Sequence, residues 1–100
     1  MKLGILLNTD KYRNAAIGLT NAAIERGDEV TFFIMDDGLK LLSDTSFSSL
    51  CKNEKVSMSF CEHSAKMMNI NEEGIDPEIK ASSQLNNAIM CNEADKVIVL

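Results

Sequence analysis

LGILLNTDKYRNAAIGLTNAAIERGDEVTFFIM, residues 3 to 35, decides the fold. Leu3 to Leu7 is a short, nearly continuous apolar run, which fits a strand buried on both faces. Asn8 to Lys11 read as a polar loop, with Asp10 able to cap the element that follows. Residues 12 to 26 then place Ala16, Leu19, Ala23 and Ile17, Ala22, Ile24 at helical spacing. Many of these side chains are small, so the helix can lie close to a sheet. Arg26-Gly27 marks its end, a cation followed by the residue that most readily takes the left-handed cap. Glu29 to Met35, rich in β-branched and aromatic residues, reads as a second strand.

The same alternation continues outward from this unit. Asp36-Asp37-Gly38 turns the chain, and two short helical pieces follow around Leu39 to Leu42 and Phe47 to Asn53. Val56, Met58 and Phe60 alternate with Ser57 and Ser59, giving strand three at Val56 to Phe60. A helix is expected from about Ser64 to Met68, then a weak extended piece at Glu78 to Ala81. Ser82 or Ser83 can cap a helix running to about Asn92, with Leu85, Ala88, Ile89 and Cys91 as its expected buried side. KVIVL, residues 96 to 100, reads as a strong buried strand. Strands alternating with helices predict an α/β fold with a parallel sheet and right-handed crossovers. In such sheets the functional crevice lies outside the carboxyl ends of the strands. Those ends are Asn8 to Lys11, Asp36 to Leu39, and Cys61 to Ser64.

Composition narrows the function. One hundred residues read as one domain, residues 1 to 100, with 45% apolar and 25% charged residues. A core of this size leaves little margin, so oligomerisation is an expected source of stability. The net charge of −5 disfavours nucleic acid as a partner, and four Phe, one Tyr and no Trp make a base-stacking platform improbable. The apolar run at the start is too short for a signal peptide, and no segment approaches the roughly 18 apolar residues that span a bilayer. Three cysteines without a CxxC pair predict reduced thiols and a cytoplasmic location. No GxGxxG or P-loop pattern is present, so no cofactor is expected.

Chemistry concentrates at FCEHS, residues 60 to 64. A thiol reacts as its anion, and an ordinary cysteine with a pKa of about 8.5 is little ionised at neutral pH. Just before a helix's first turn, Cys61 would meet unpaired N–H groups, at about His63 to Ala65, that favour that anion. An exposed, low-pKa thiol suits sulfur exchange. The bland alternative is a small apolar core residue, and the residues alone leave the two readings open. Cys51 and Cys91, each on an apolar helical face, read as core. His63, the only histidine, is a candidate to help ionise Cys61 or pass a proton. Beside a thiolate the charge of Glu62 would raise its pKa, so that residue reads as solvated surface. No ligand spacing joins Cys61 and His63 into a metal site. Asn8, Thr9 and Asp10 before a helix make a weaker case for a phosphate-bearing ligand, against which stands the absence of a glycine-rich turn.

Residues 5 to 42 resemble the first half of the DsrE/DsrF-like family, the small sulfur-relay proteins that include the TusD type. The resemblance lies in a strand, an alanine-rich helix, Gly27-Asp28-Glu29-Val30 opening strand two, and an Asp-Gly-hydrophobic turn. FCEHSAKMMNI resembles the family's cysteine loop, and EADKVIVL its terminal strand. The resemblance implies a three-layer α/β/α, flavodoxin-like arrangement of five parallel strands in the order 4-3-2-1-5. It implies a homo-oligomer, trimer or hexamer. It also implies that Cys61 carries sulfur as a persulfide between a donor protein and an acceptor protein. The relay members carry Arg-Gly after the cysteine helix, where this chain has Met68-Asn69-Ile70; Asn can take the left-handed conformation that Gly supplies. The alternative is a non-catalytic, oligomeric binding or assembly module of the same fold.

Overall fold

Five short strands form one sheet in the computed structural model, which describes residues 1–100. They are β1 (Lys2–Leu7), β2 (Glu29–Ile34), β3 (Val56–Cys61), β4 (Ile79–Ser82) and β5 (Lys96–Val99). The order is β4-β3-β2-β1-β5, as the family resemblance implied, and every neighbouring pair is parallel, as the alternation of strands and helices predicted. Helices α1 (Arg13–Glu25), α2 (Thr45–Ser48), α3 (Glu62–Met67) and α4 (Gln84–Glu93) lie in the crossovers. Tighter 3-10 turns occupy Asp36–Ser43, Ser49–Lys52 and Glu72–Gly74. Gly27 takes φ 84 at the end of α1, the left-handed cap expected there.

Strand order determines how each face of the sheet is covered. The chain steps in one direction from β1 to β4, and right-handed crossovers put all of those connections on one face. Only the return from β4 to β5 crosses the other. The register places Leu3, Val30 and Val56 side by side, then Ile5, Phe32 and Met58, so these residues share the first face. Ala16 and Ala23 of α1, Leu39, Leu41 and Leu42, Phe47 of α2 and Ala65 of α3 pack on it in one cluster of 18 buried residues. Phe32 and Phe47 meet edge to face at 5.3 Å. The second face has α4 alone, and its buried cluster is only Phe33, Cys61 and Met90.

Several expectations are corrected by this asymmetry. Leu85 is 67% exposed and Ile89 46%, and Ala88 and Cys91 are exposed too; α4 turns Met90 inward instead. The apolar face was real, but it has no second helix of the same chain beside it. β5 is an edge strand, with Val97 and Val99 exposed rather than buried. In α1, Thr20 replaces Leu19 and Ala22 on the buried side, its Oγ1 donating to the Ala16 carbonyl at 2.8 Å. Asp10 does not cap α1, which begins after Tyr12 without a side-chain cap. Ser83 does cap α4, its Oγ accepting the Leu85 N–H while its own N–H donates to Asn86 Oδ1. Cys51 is buried as expected, and Asn69 takes φ 55.

Candidate thiol site at the carboxyl edge of the sheet

Cys61 is the last residue of β3, hydrogen-bonded beside Ser82 of β4, and Glu62 begins α3 directly after it. Strand alternation turns Ser57, Ser59 and Cys61 toward the face that α4 covers. The sulfur therefore packs with Phe33 and Met90, and the residue is 4% exposed. The expectation of a solvent-facing thiol is corrected here. The helix-start geometry was right, but α4 returns across the second face and its first turn lies over the sulfur.

Four segments meet at this point. Asp36, with φ 50, follows β2 and donates its N–H to Ser64 Oγ at 3.2 Å. Gly38 lets this loop cross the end of β1, since a Cβ there would lie 2.5 Å from the Leu7 carbonyl oxygen. Ser64, in the first turn of α3, is 6% exposed. From the start of α4, Gln84 Nε2 donates to Cys61 Sγ at 3.9 Å and to Met35 Sδ at 3.7 Å. A shallow depression of about 300 Å³ opens here, with Cys61, His63 and Lys66 on one side and Ser82 to Gln84 on the other.

These groups change the acidity of the thiol. Burial pushes the Cys61 pKa up, and it is opposed by the N–H and hydroxyl of Ser64, the N–H of His63 and the Gln84 amide. The donors outweigh burial, and the pKa lies below that of an ordinary cysteine. The first-turn groups close no capping bond to Sγ; the Gln84 amide is the group in hydrogen-bond contact. Cys51 is the opposite case: burial, and then the charge of Asp76, push its thiol up. Cys91 is exposed on α4, where Sγ donates to Asn87 Oδ1 at 3.7 Å.

The structure brings Cys61 and His63 to the same depression but gives the imidazole no hydrogen bond or ion pair; it is the backbone N–H of His63 that acts on the sulfur. Glu62 pairs with Lys66 at 3.4 Å along the surface of α3. No three His, Cys, Asp or Glu side chains gather as metal ligands. Sequence reading anticipated the backbone N–H groups of His63 and Ser64 but missed the Ser64 hydroxyl, Gln84 and Met35. The signal was topological: a parallel sheet brings every strand's carboxyl end to one edge, so residues just after β2, β3 and β4 become neighbours. A larger hollow of about 520 Å³ lies farther along the same face, floored by Thr31, Ser57 and Ser59, and contains no thiol.

Comparison with known proteins places this geometry. The ychN protein from E. coli superposes with a TM-score of 0.78 at 16% identity, covering 100% of this chain and 99% of that one. MTH1491, a protein of unknown function from Methanobacterium thermoautotrophicum, gives 0.71 at 10% identity, covering 99% and 98%. At these identities the likeness is one of fold. No curated protein sequence matches the chain. The sequence pattern of the DsrE/DsrF-like family matches residues 1–100, and the chain belongs to that family.

Proposed function

We propose that the protein is a sulfur carrier of the cytoplasm that holds persulfide sulfur on Cys61. The observation that supports this most is the set of donors converging on one sulfur, which lowers its pKa despite burial. In the loading step, the Cys61 thiolate attacks the terminal sulfur of a donor protein's persulfide. The donor's S–S bond breaks, a new bond forms to Sγ, and the donor leaves as a thiolate. Unloading is the same exchange in reverse, onto an acceptor protein's cysteine. Sulfur moves without net oxidation or reduction, so no cofactor is required. His63 stands at the mouth, where its ring can take or return the persulfide proton.

The protein assembles with copies of itself through the α4 and β5 surface, as a trimer or hexamer. Leu85, Ile89, Val97 and Val99 support this, being large, apolar and exposed on one side of the sheet. A second reading is an assembly module without thiol chemistry. The 4% exposure of Cys61 favours it.

Incubation with a persulfide donor, followed by intact-mass and peptide analysis, separates the two. A carrier gains one sulfur atom at Cys61. The gain is lost in Cys61→Ser and kept in Cys51→Ser and Cys91→Ser. A wild-type protein that gains no sulfur under excess donor is an assembly module.

A further inference from the structure

The groups acting on Cys61 differ in how firmly they are held. The amides of His63 and Ser64 are backbone, and the Ser64 hydroxyl is buried and engaged by Asp36. Gln84 is different: its side chain is exposed and comes from another element. Its amide has a defined orientation. Asn87, one turn further along α4, donates Nδ2 to Gln84 Oε1 at 3.3 Å. That leaves Nε2 toward the two sulfurs, Met35 Sδ and Cys61 Sγ. Both contacts are long, as suits a thioether and a neutral thiol, which are weak acceptors. A thiolate is a much stronger acceptor, so ionisation of Cys61 draws the amide from Met35 toward Sγ.

The same side chain shares the depression with the sulfur, 3.9 Å from it. Cys61 is 4% exposed although it borders the opening, and Gln84 borders it from the opposite wall. A second sulfur atom bonded to Sγ would have to share this space with the amide. Gln84 sits at the first residue of α4, outside the core, so it turns away without disturbing the sheet.

We propose that Gln84 is the positioning residue of the Cys61 site: its amide, oriented by Asn87, covers the sulfur at rest, donates to it as an anion, and turns aside to admit the incoming sulfur. This rests on the carrier reading for its purpose, but not for its test. The rate of iodoacetamide alkylation of Cys61 is measured against pH, using protein in which Cys51→Ser and Cys91→Ser leave one thiol. The midpoint reports ionisation, and the plateau at high pH reports access.

Gln84→Ala removes both donor and cover, so the midpoint rises by about half a unit and the plateau rate rises severalfold. Gln84→Met keeps a cover without a donor; its midpoint rises similarly and its plateau stays near that of the parent. Asn87→Ala frees the amide and gives a smaller rise in both. An unmoved midpoint in Gln84→Ala and Gln84→Met, or an unmoved plateau in Gln84→Ala, overturns the proposal. Sulfur loading of the parent, measured separately, reports on the carrier reading alone.

Discussion

Ser64→Ala removes one oxygen that serves two partners, and the two losses are measured separately. Ser64 Oγ accepts the Asp36 N–H at 3.2 Å, which leaves its own O–H for Cys61. The Asp36 N–H is part-buried in an exposed residue, so it is not left as a fully buried unpaired donor. The stability cost then falls at the low end for a hydrogen bond, about 1 kcal/mol. For a domain of this length that is a fall in melting temperature of roughly 4–8 °C. The loss at the sulfur is larger in relative terms. Ser64 is 6% exposed, so water does not take its place beside Sγ. A hydrogen bond to a charged group contributes about 1.5–3 kcal/mol, and one pKa unit corresponds to about 1.4 kcal/mol. The contact is not a closed capping bond, so we expect the lower part of that range, a rise of about one unit in the Cys61 midpoint. Differential scanning calorimetry reads the first effect and the pH profile of alkylation reads the second. A protein that melts earlier while its midpoint stays fixed would refute the role assigned to the hydroxyl, leaving Ser64 as a structural residue only.

Two further outcomes follow from other parts of the molecule. Arg13 and Asp44 form an ion pair, and the Arg13 hydrogen bond holds the Asp44 carboxyl below its ordinary range. The folded state then binds that proton less readily than the unfolded chain. The pair's contribution is therefore complete above the ordinary carboxylate range and is lost as the pH falls through the lowered value. In urea titrations Asp44→Asn should be less stable than the parent at neutral pH, and the gap should close on acidification; a gap independent of pH contradicts the pairing. If the proposed oligomer forms through this surface, replacing Leu85 and Ile89 together with Glu should give monomers by light scattering, with unchanged far-UV circular dichroism, because both side chains point away from the fold. An assembly that survives both charges would place the interface elsewhere.

The fold was legible where a segment's surroundings are set by its own period. LGILL and EVTFFI are strands because the sheet's first face buries every second residue under α1, α2 and α3. Arg26-Gly27 and Ser83 carry their cap chemistry locally and were readable for the same reason. The apolar sides of α4 and β5 were also legible, but not their exposure. Whether Leu85 and Val99 are covered depends on the number of helices on each face, which no local window contains. At the site, Cys61 at the strand's carboxyl end and the helix after it could be read from alternation ending at Phe60. The inward turn of its sulfur follows from strand register, and the donor Gln84 from three-dimensional convergence of separate crossovers. Gln84 lies 23 residues from Cys61 along the chain, beyond the reach of any spacing rule.

The central claim is that the folded site, rather than cysteine itself, favours the anion at Cys61. Ultraviolet thiolate absorbance of protein carrying Cys51→Ser and Cys91→Ser, titrated with pH while native and again in urea, measures this with one thiol in view. We predict a native midpoint below the ordinary value of about 8.5 and a return to that value on unfolding. A native midpoint at or above the unfolded one would contradict the account.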